Sequence, residues 1–571
     1  LYQAYYSEPK DDRINAHKKY KKQDIPFVTQ LFTPDWIVHY MVENSLGRLW
    51  MESHHSSDLK GKWDFYLDST VNNVIKNGEE KPTNADIRPE SLLVLDPCQG
   101  SGHILVYVFD VLVQIYEAYG FSAREAASSI IRNNIWGLDI DERATQLAYF
   151  SVMMKARQYD RRFFSRGIQP HIYAIQESDH IDEYTLEYYC NGNLSLMKAM
   201  SSIIAELKDA KESGSLVKTT EQDWVALYAR FDEISNDISM HRDLALQLLP
   251  LVRTAEALSK QYDIVITNPP YMGASLMPNG LKDFIGRQYG DYKSDIFAAF
   301  IVRCIEFCKD NGQLGLITPY VWMFLTAHEK LRVYINRKTN ISSLIQLEYN
   351  AFEAACVPVA TFTLQKRGNH SSGEYIKLSD FRGAENQAPK TLEAIANPQC
   401  GYRYSANQDS FAKIPGSPIA YWVSKQIINS FDEGISIDTI SSFTGSQNIT
   451  ADNEKYLRVI WEVDATKLGP HKPWSFYIKG GQFRKWYGNI EMAVDWSDDA
   501  REFYRTNPTS NLLAEQYRFK EGITYTELTS SVNSFRYLPP IAVFDKKGPC
   551  IIDVKYNHYC LAFFNSIVGV Q

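Results

Sequence analysis

The sequence predicts an α/β protein with a doubly wound sheet, followed by a second domain of mixed α/β character. Short apolar runs alternate with helical stretches between about residue 92 and residue 366. After "KRGNHSSGE" (367–374) the strand-like pieces shorten, and aromatic residues, glycines and prolines become frequent. The chain of 571 residues is also too long for a single hydrophobic core.

Composition excludes several classes of protein. A net charge of -8 argues against a generally basic nucleic-acid coat, so any nucleic-acid site must be a local basic groove. The eight cysteines form no CxxC pair or Cys/His cluster, and no apolar run reaches the roughly 20 residues that span a bilayer. We expect a protein of a reducing bacterial cytoplasm, without a signal peptide. Because the chain opens on Leu1 and stops after an apolar segment, we expect both ends to be cuts through a longer protein.

The elements follow in order along the chain. Residues 1–50 are predicted to be helical, with a proline-started helix after Thr33. Helices are expected at 103–119 and 141–158, and a helical insertion rich in Leu, Ala, Glu and Lys at about 181–259. The predicted strands are 92–96, 135–139, 172–175, 263–267, 314–318, 343–347 and 359–365. The predicted divisions are an N-terminal helical segment (1–50), the α/β domain (51–366) and the second domain (375–571).

The first chemical signal is "LLVLDPCQGSGHIL" at 92–105, an apolar strand that leads through a glycine-containing turn into a helix. Gly100 and Gly102 let a ligand approach the backbone closely, and the helix N-terminus offers N–H groups to an anion. Leu105 occupies the third glycine position of the dinucleotide fingerprint, so a dinucleotide is not indicated. An ordinary tight turn is the alternative for this segment alone.

The second signal is "NNIWGLDIDERATQLA" at 133–148, another strand that ends in acidic residues before a helix. An acid at the end of the second strand is placed to bind ribose hydroxyls, which favours Asp139 as a ligand. For Asp141 we favour a helix N-cap. This acid and the glycine turn, without a pyrophosphate fingerprint, indicate a nucleoside cofactor that lacks two phosphates.

The third signal is "VITNPPYMG" at 265–273. Prolines cannot donate to a β-ladder, so the strand should stop at about Thr267. Asn268 then offers a side-chain oxygen, Pro269 a backbone carbonyl, and Tyr271 a flat ring. Together these groups suit a planar ring that carries an amino group. A plain turn is the alternative, but it is disfavoured by the order of the three motifs within one α/β domain.

In this order the motifs resemble those of the γ-class, S-adenosylmethionine-dependent, adenine-N6 DNA methyltransferases. "DPCQGSG", "GLDID" and "NPPY" match the first, the acidic second and the catalytic motif of that class. "LFTPDWIVHYM" resembles the Thr-Pro element that closes over the methionine part of the cofactor, and "GQLGLITPYVWM" and "YNAFEAACVPVATFTL" resemble later motifs. The match departs at Cys98-Gln99, where Ala-Cys is usual. The resemblance implies a Rossmann-like class I methyltransferase fold with a mixed seven-stranded sheet.

The resemblance also implies residue roles. Glu177 is our choice for an adenine-ring contact with the cofactor, with Asp179 as the alternative. Tyr271 and Phe352 are expected to hold the two faces of a flipped base, although Phe352 also fits a hydrophobic core. No metal site is expected. The expected catalytic residues are Asn268, Pro269, Pro270 and Tyr271. The expected S-adenosylmethionine-binding residues are Phe32, Thr33, Pro34, Asp96, Pro97, Gly100, Ser101, Gly102, Asp139, Ile140, Glu177 and Asn268.

A narrower resemblance covers nearly the whole chain. "TQLFTPDWIVHYMVENSLGRLW", "MKARQYDRRFF" and "YIKGGQFRKWYGN" look like the adenine-specific methyltransferases of BREX phage-defence systems, the PglX family, whose members are much longer. This resemblance implies an enzyme that marks host DNA at a short asymmetric site. The implied partners are double-stranded DNA, other BREX defence proteins and phage-encoded inhibitor proteins, and no membrane.

Two alternatives remain open. One is the methyltransferase and specificity part of a fused restriction–modification enzyme, although this sequence has no obvious PD-(D/E)xK nuclease pattern. The other is a catalytically silent DNA-recognition subunit, against which the intact Asn-Pro-Pro-Tyr and Gly-x-Gly argue. RNA and protein glutamine also fit the catalytic motif, but the large aromatic C-terminal region favours DNA.

Sequence specificity is expected beyond residue 375. "YIKGGQFRKWYGN" interleaves basic and aromatic residues, with glycines that allow close approach, which suits DNA phosphates and bases. A solvated hairpin with a packed aromatic face is the alternative. The candidate DNA-binding residues are Lys479, Arg484, Lys485, Trp486, Lys520, Thr524 and Arg536.

Overall fold

The computed structural model divides the chain into two compact units, Leu1–Trp422 and Val423–Gln571. The structure describes ten segments of the chain, and the helices and strands below lie within them. These are 19–29, 31–54, 57–68, 87–237, 241–349, 351, 357–367, 371–443, 446–528 and 532–570.

The first unit is built on a nine-stranded sheet in the order β3-β2-β1-β4-β5-β7-β6-β8-β9. Strands β3, β2, β1, β4 and β5 run parallel, whereas β7 lies antiparallel between β5 and β6. The strands are β1 (Val94–Asp96), β2 (Ile135–Asp139), β3 (His171–Ala174), β4 (Tyr262–Thr267), β5 (Cys308–Pro319), β6 (Asn340–Gln346), β7 (Val359–Gln365), β8 (Ser372–Lys377) and β9 (Arg403–Asn407).

The first seven strands confirm the predicted Rossmann-like mixed sheet, but the sheet does not end with them. β8 pairs parallel with β6, and β9 pairs antiparallel with β8. The predicted start of the second domain at residue 375 therefore lies inside this sheet. The first unit extends to Trp422, because the two added strands continue its edge by backbone hydrogen bonds.

Helices cover both faces of this sheet. Successive residues of β4 alternate between two hydrophobic clusters, with Ile264 and Ile266 in one and Val265 in the other. The helices of the first unit are α1 (Ile25–Val28), α2 (Asp35–Val42), α3 (Arg48–Ser53), α4 (Ser57–Lys60), α5 (His103–Tyr119), α6 (Ala123–Ser129), α7 (Glu142–Tyr159), α8 (Glu183–Cys190), α9 (Leu194–Glu206), α10 (Ala210–Ser213), α11 (Trp224–Ser235), α12 (Arg242–Leu246), α13 (Leu249–Ser259), α14 (Asn279–Gln288), α15 (Ile296–Phe307), α16 (Glu329–Lys338) and α17 (Ala384–Ala396).

The segment between β3 and β4 is helical, as its composition predicts. Helices α8 to α13 occupy it, and their apolar residues join the cluster that also contains Val265. A short break between α10 and α11 passes through Gly214, which has a φ of 58°.

The second unit contains two four-stranded sheets, in the orders β10-β17-β14-β15 and β11-β13-β12-β16. It is thus a mixed α/β unit, as expected. Its strands are β10 (Ser442–Phe443), β11 (Leu457–Val459), β12 (Trp474–Ile478), β13 (Met492–Asp495), β14 (Gly522–Thr524), β15 (Arg536–Leu538), β16 (Ala542–Phe544) and β17 (Cys550–Ile552). Its helices are α18 (Lys425–Glu433), α19 (Asn453–Tyr456), α20 (Asp498–Thr506), α21 (Asn557–Asn565) and α22 (Ile567–Val570).

Among the helices of the described residues, none combines sufficient length with sufficient apolar character to cross a membrane.

Candidate active site

Two of the predicted motifs meet at the carboxyl edge of the sheet. β1 and β4 are parallel neighbours, with Val94 paired to Ile264. At their ends the Thr267 hydroxyl donates to Asp96 Oδ1 at 2.7 Å. The glycine turn after β1 and the Asn-Pro-Pro-Tyr turn after β4 therefore lie side by side, where open α/β sheets bind ligands.

The glycine turn is held open by backbone conformation. Gly100 has a φ of 52°, and no heavy atom lies within 4 Å of the position that a Cβ would take. Gly102 has a φ of 83°, but a Cβ there would lie 2.9 Å from the Ala148 Cα. Gly100 thus faces open space, whereas Gly102 is required for the close packing of α5 on α7.

The departure from the usual first motif has a local explanation. The Gln99 side chain is buried and packs against β2, where a Cβ on Gly137 would lie 1.9 Å from Gln99 Oε1. Because residue 137 is a glycine, β2 accommodates the larger side chain. The backbone of the turn is retained, since the backbone N–H of Gln99 donates to the Leu138 carbonyl at 3.0 Å.

The carboxylate of Asp139 ties the ends of β1 and β2 together. Its Oδ2 accepts from the Gly100 amide at 2.9 Å, and its Oδ1 accepts from the Asp141 amide at 2.8 Å. Burial raises the pKa of this carboxyl to about 6. Asp141 accepts from the Arg143 amide at 2.9 Å and caps α7, as predicted.

Two adjoining cavities open at this edge. The larger has a volume of about 130 Å³ and the smaller of about 60 Å³. Both are lined by Leu31, Cys98, Gly100 and Asn268. Asn268 therefore lies where the two cavities join.

Most of the predicted cofactor residues line one or both cavities. The larger cavity is lined by Asp139 and Ile140, and the smaller by residues of the Thr-Pro element and of the glycine turn. The predicted residues in these linings are Phe32, Thr33, Pro97, Gly100, Ser101, Asp139, Ile140 and Asn268, and Pro270 joins them from the catalytic set.

Four predicted cofactor residues are outside both linings. Pro34 precedes the first residue of α2, and Gly102 serves helix packing as described above. Asp96 is buried beneath the turn, where it accepts from Thr267 and from the Cys98 amide. Glu177 forms an ion pair with Lys22 and so holds the segment that leads into α1. The cofactor contacts of these four residues remain predictions.

Sequence reasoning missed two parts of the larger cavity. One wall comes from the helical insertion, at Glu212, Ser213, Gly214 and Ser215. The Ser215 hydroxyl donates to the Pro97 carbonyl at 2.5 Å and so joins the insertion to the glycine turn. The available signal was "ESGS" at 212–215, which interrupts an otherwise helix-forming segment.

The second missed part lies ahead of the Thr-Pro element. Ile25, Pro26 and Thr29 also line the larger cavity. Their segment is anchored away from the cavity by Lys22 on Glu177 and by the Tyr20 amide, which donates to the Leu276 carbonyl at 3.1 Å. The sequence signal for this contact was the apolar segment "IPFV" at 25–28, which follows a lysine-rich stretch.

The Asn268 side chain has a defined orientation. Its Nδ2 donates to the Leu31 carbonyl at 3.0 Å and to Thr33 Oγ1 at 3.1 Å. Its Oδ1 accepts from the Tyr271 hydroxyl at 2.7 Å, and that hydroxyl also lies 3.0 Å from the Ile317 carbonyl oxygen. Burial raises the pKa of the Tyr271 phenol well above its usual value, so the hydroxyl remains a donor. This hydroxyl contact was not predicted.

The other three residues of the Asn-Pro-Pro-Tyr turn are buried or half-buried. Pro269 is buried and Pro270 half-buried, and the Tyr271 ring meets Phe297 edge-on, with ring centroids 6.3 Å apart. β4 ends at Thr267, as predicted from the prolines. Phe352, the expected second stacking residue, lies outside the described residues.

We expect Asp96 to make stability depend on pH. Burial raises the pKa of its carboxyl to about 7, and Oδ2 has no hydrogen-bond partner among the described residues. The folded state therefore keeps a proton that an unfolded Asp, with a pKa of about 3.9, has lost, so stability should fall as pH rises from about 4 to 7. Asp96→Asn should raise the thermal unfolding temperature relative to wild type more at pH 8 than at pH 5. An equal difference at both pH values would contradict this assignment.

In the second unit, the predicted basic and aromatic loop between β12 and β13 is on the surface. Phe483, Trp486 and Tyr487 are each more than half exposed. The Arg484 side chain is 50% exposed and forms an ion pair with Glu491 at 3.2 Å. Gly480, Gly481 and Gly488 all have positive φ in this loop. The loop thus presents flat rings and a guanidinium on one strongly bent segment.

Three other candidates for DNA contact are engaged within the unit. Arg536 is fully buried, and its guanidinium donates to Ser534 Oγ and to Thr526 Oγ1, each at 3.2 Å. Thr524 is buried and donates to the Pro549 carbonyl at 3.1 Å. Lys485 donates to the Asn565 carbonyl at the end of α21, at 2.8 Å. The expectation of direct DNA contact is therefore corrected for Arg536 and Thr524, because burial removes both from the surface.

The remaining two candidates keep more freedom to meet a ligand. Lys520 forms an ion pair with Asp553 at 3.4 Å, with both side chains about half exposed. Lys479 is half-buried at the end of β12.

The strand order, the antiparallel β7 and the strand-end motifs together define a class I methyltransferase fold. Within it, residues 133–352 match the family described as Eco57I restriction-modification methylase. Two curated proteins match almost the whole chain. The adenine-specific methyltransferase PglX of Lacticaseibacillus casei (strain Zhang) is 35% identical over 99% of this chain and 50% of its own length. The adenine-specific methyltransferase BrxX of Escherichia coli O9:H4 (strain HS) is 35% identical over 96% of this chain and 48% of its own length.

The chain belongs to the PglX family, as the motifs predicted. It spans about half the length of the curated relatives it matches. Among solved structures, the ATP-dependent Type ISP restriction-modification enzyme LlaBIII bound to DNA superposes with a TM-score of 0.48 at 12% identity, over 96% of this chain and 35% of that chain. The Type IIL restriction-modification enzyme MmeI in complex with DNA gives a TM-score of 0.47 at 12% identity, over 94% of this chain and 64% of that chain. Because both TM-scores are below 0.5, the assignment of the fold rests on the strand order of this protein.

Proposed function

We propose that this protein is a site-specific DNA methyltransferase that transfers a methyl group from S-adenosylmethionine to N6 of adenine. The observation that carries the proposal is the location of Asn268, which lines both cavities and is held with a defined amide orientation. Both relatives that match almost the whole chain are adenine-specific methyltransferases, which supports the proposal.

The residues present fit S-adenosylmethionine. Gly100 leaves open space where a side chain would stand, and Asp139 lies in the same cavity with a carboxylate suited to ribose hydroxyls. The larger cavity suits the nucleoside and the smaller suits the amino-acid part, next to Phe32 and Thr33. When bound, this cofactor supplies an electrophilic methyl group.

The chain's own residues would prepare the amine. The exocyclic nitrogen of adenine is a poor nucleophile, because its lone pair is delocalised into the ring. Acceptors for its two hydrogens, the Asn268 side-chain oxygen and the Pro269 carbonyl, would favour a pyramidal nitrogen and expose that lone pair. Asn268 Oδ1 already accepts from the Tyr271 hydroxyl, and its second lone pair would accept from the amino group. Positioning of the amine would then accelerate the transfer, since well-oriented groups can lower an activation barrier by several kcal/mol.

The target adenine is buried in duplex DNA, so the proposal includes base flipping at a cost of a few kcal/mol. Stacking of the flipped base on Tyr271 would offset about 1–3 kcal/mol of that cost. Phe352 is retained as a proposed second stacking residue. The exposed loop with Phe483, Arg484 and Trp486 is the proposed DNA contact of the second unit.

The same proposal assigns the protein to a BREX phage-defence system in the bacterial cytoplasm. Double-stranded DNA and other BREX defence proteins are the proposed partners, with phage-encoded inhibitors as a further class. Membership of the PglX family supports this role.

The reaction is tested by incubating the full-length protein with S-adenosylmethionine and unmethylated duplex DNA, followed by mass spectrometry of the nucleosides. We expect N6-methyladenine. Methylation of cytosine, or transfer only to RNA or to protein glutamine, would overturn the proposal. DNA binding without any transfer would favour the silent recognition subunit, and cleavage of unmethylated DNA would favour a fused restriction–modification enzyme.

The DNA contact has its own test. Arg484→Ala should weaken DNA binding and reduce the slope of log Kd against log salt by about 1, because one phosphate contact is lost. Fluorescence anisotropy over a series of salt concentrations measures this slope. Arg505→Ala is the matched control, since Arg505 is also an exposed arginine of the second unit in an ion pair, with Glu502. An equal loss of slope in both variants would show that only net charge matters and would remove Arg484 from the contact.

A further inference from the structure

The catalytic amide is held by a segment that lies far away in sequence. Asn268 Nδ2 carries two hydrogens, and both are used, on the Leu31 carbonyl at 3.0 Å and on Thr33 Oγ1 at 3.1 Å. Both acceptors belong to the Thr-Pro element, which was predicted to close over the cofactor.

The contact with the Leu31 carbonyl selects one of two amide orientations, and the Thr33 hydroxyl stabilises the selected one. An amide that turns by 180° exchanges its oxygen and nitrogen. The Leu31 carbonyl accepts hydrogen bonds and cannot donate one, so the turned amide would set two oxygens against each other. The observed orientation directs Oδ1 to the opposite side, where the Tyr271 hydroxyl donates to it at 2.7 Å. The oxygen that the proposed reaction needs is therefore oriented by contacts made on the nitrogen.

The same segment also forms the walls of both cavities. Leu31 lines the larger cavity, and Leu31, Phe32 and Thr33 line the smaller. A displacement of this segment would open the cavities and release the Asn268 nitrogen together. One short segment thus connects the cofactor site with the amide orientation.

We propose that Thr33 is a positioning residue for Asn268, and that closure of segment 31–33 over the cofactor site sets the orientation of the catalytic amide. The inference deepens the proposed function and rests on it for the identity of the reaction. It assigns to the Thr33 hydroxyl an effect on the rate of transfer beyond its place in the cavity wall.

The kinetic test uses two variants of Thr33. Thr33→Val keeps the shape but removes the hydroxyl, and should lower kcat, measured at saturating S-adenosylmethionine, about 10- to 100-fold. Thr33→Ser restores the hydroxyl and should recover most of that loss. A tenfold weaker cofactor affinity with an unaltered kcat in Thr33→Val would overturn the inference. Equal kcat losses in the two variants would also overturn it.

A second test does not depend on activity. The unfolding temperatures of Thr33→Val, Asn268→Ala and the double variant form a double-mutant cycle. Because both single changes break the same hydrogen bond, the double variant should lose less than the sum of the two shifts. Additive shifts would overturn the direct contact. If wild type transfers no methyl group to adenine but the cycle is non-additive, the proposed function fails and the Thr33–Asn268 coupling stands.

Discussion

Asn268→Ala is expected to abolish methyl transfer while DNA binding persists. The change removes the side-chain oxygen that would accept a hydrogen of the adenine amino group, and it also removes the amide nitrogen that anchors segment 31–33. Loss of one preorganised catalytic hydrogen-bonding group costs about 10²–10³ in rate, and the loss of the anchor adds to it. Initial rates of transfer to duplex DNA measure the effect.

Asn268→Asp is the matched control for this result. It keeps an acceptor oxygen of the same reach but replaces the nitrogen that donates to Leu31 and Thr33. We therefore expect measurable activity below wild type, because the acceptor is present but poorly held. Methylation at the wild-type rate in Asn268→Ala would refute the catalytic assignment.

Asp139→Ala is expected to weaken S-adenosylmethionine binding about 10- to 100-fold, since a hydrogen bond to a charged group contributes about 1.5–3 kcal/mol. The structure adds a second reason to the predicted ribose contact. The carboxylate accepts from the Gly100 amide and from the Asp141 amide, so its loss also releases the glycine turn. Isothermal titration calorimetry measures the affinity.

The pH dependence of binding separates these effects from a general loss of structure. The pKa of the Asp139 carboxyl is raised to about 6, so in wild type the affinity should decline as pH falls through that value. Asp139→Asn carries no titrating group there and should bind weakly, with a flatter profile between pH 5 and pH 8. An affinity of Asp139→Ala equal to wild type would move the ribose contact to another residue.

The ends of the central strands could be predicted because proline and acidic residues mark them. A proline follows Asp96 directly, and another follows Thr267 with only Asn268 between them. Because proline has no backbone N–H, it cannot continue the hydrogen-bond ladder of a strand. The alternation of strands with helices was sufficient to predict a doubly wound sheet, whereas the mixed seven-stranded sheet was implied by the family resemblance. The site residues at these strand ends followed, because parallel strands bring their carboxyl ends to one edge.

Contacts between distant segments could not be predicted in the same way. The Ser215 contact with Pro97 and the contacts of Asn268 with segment 31–33 join parts of the chain that no local pattern relates. The site wall contributed by residues 212–215 depends on how the insertion folds back on the sheet.

Burial of polar side chains was likewise beyond local patterns. Arg536 follows a serine-rich stretch and precedes a tyrosine, a pattern equally typical of a DNA-contacting surface and of a buried guanidinium. Its partners Ser534 and Thr526 determine the outcome. The end of the first unit was missed for a similar reason, because β8 and β9 resemble the strands of a new domain until their pairing to β6 is known.

Sequencing of methylated bases in the genome tests the central claim most directly. Cells that carry the full-length wild-type protein and its neighbouring genes are compared with cells that carry Asn268→Ala in the same context. We predict N6-methyladenine on one strand of a short asymmetric site in the wild type, and none at that site in the variant. Methylcytosine at the site, or an adenine pattern that is the same in both strains, would contradict the account.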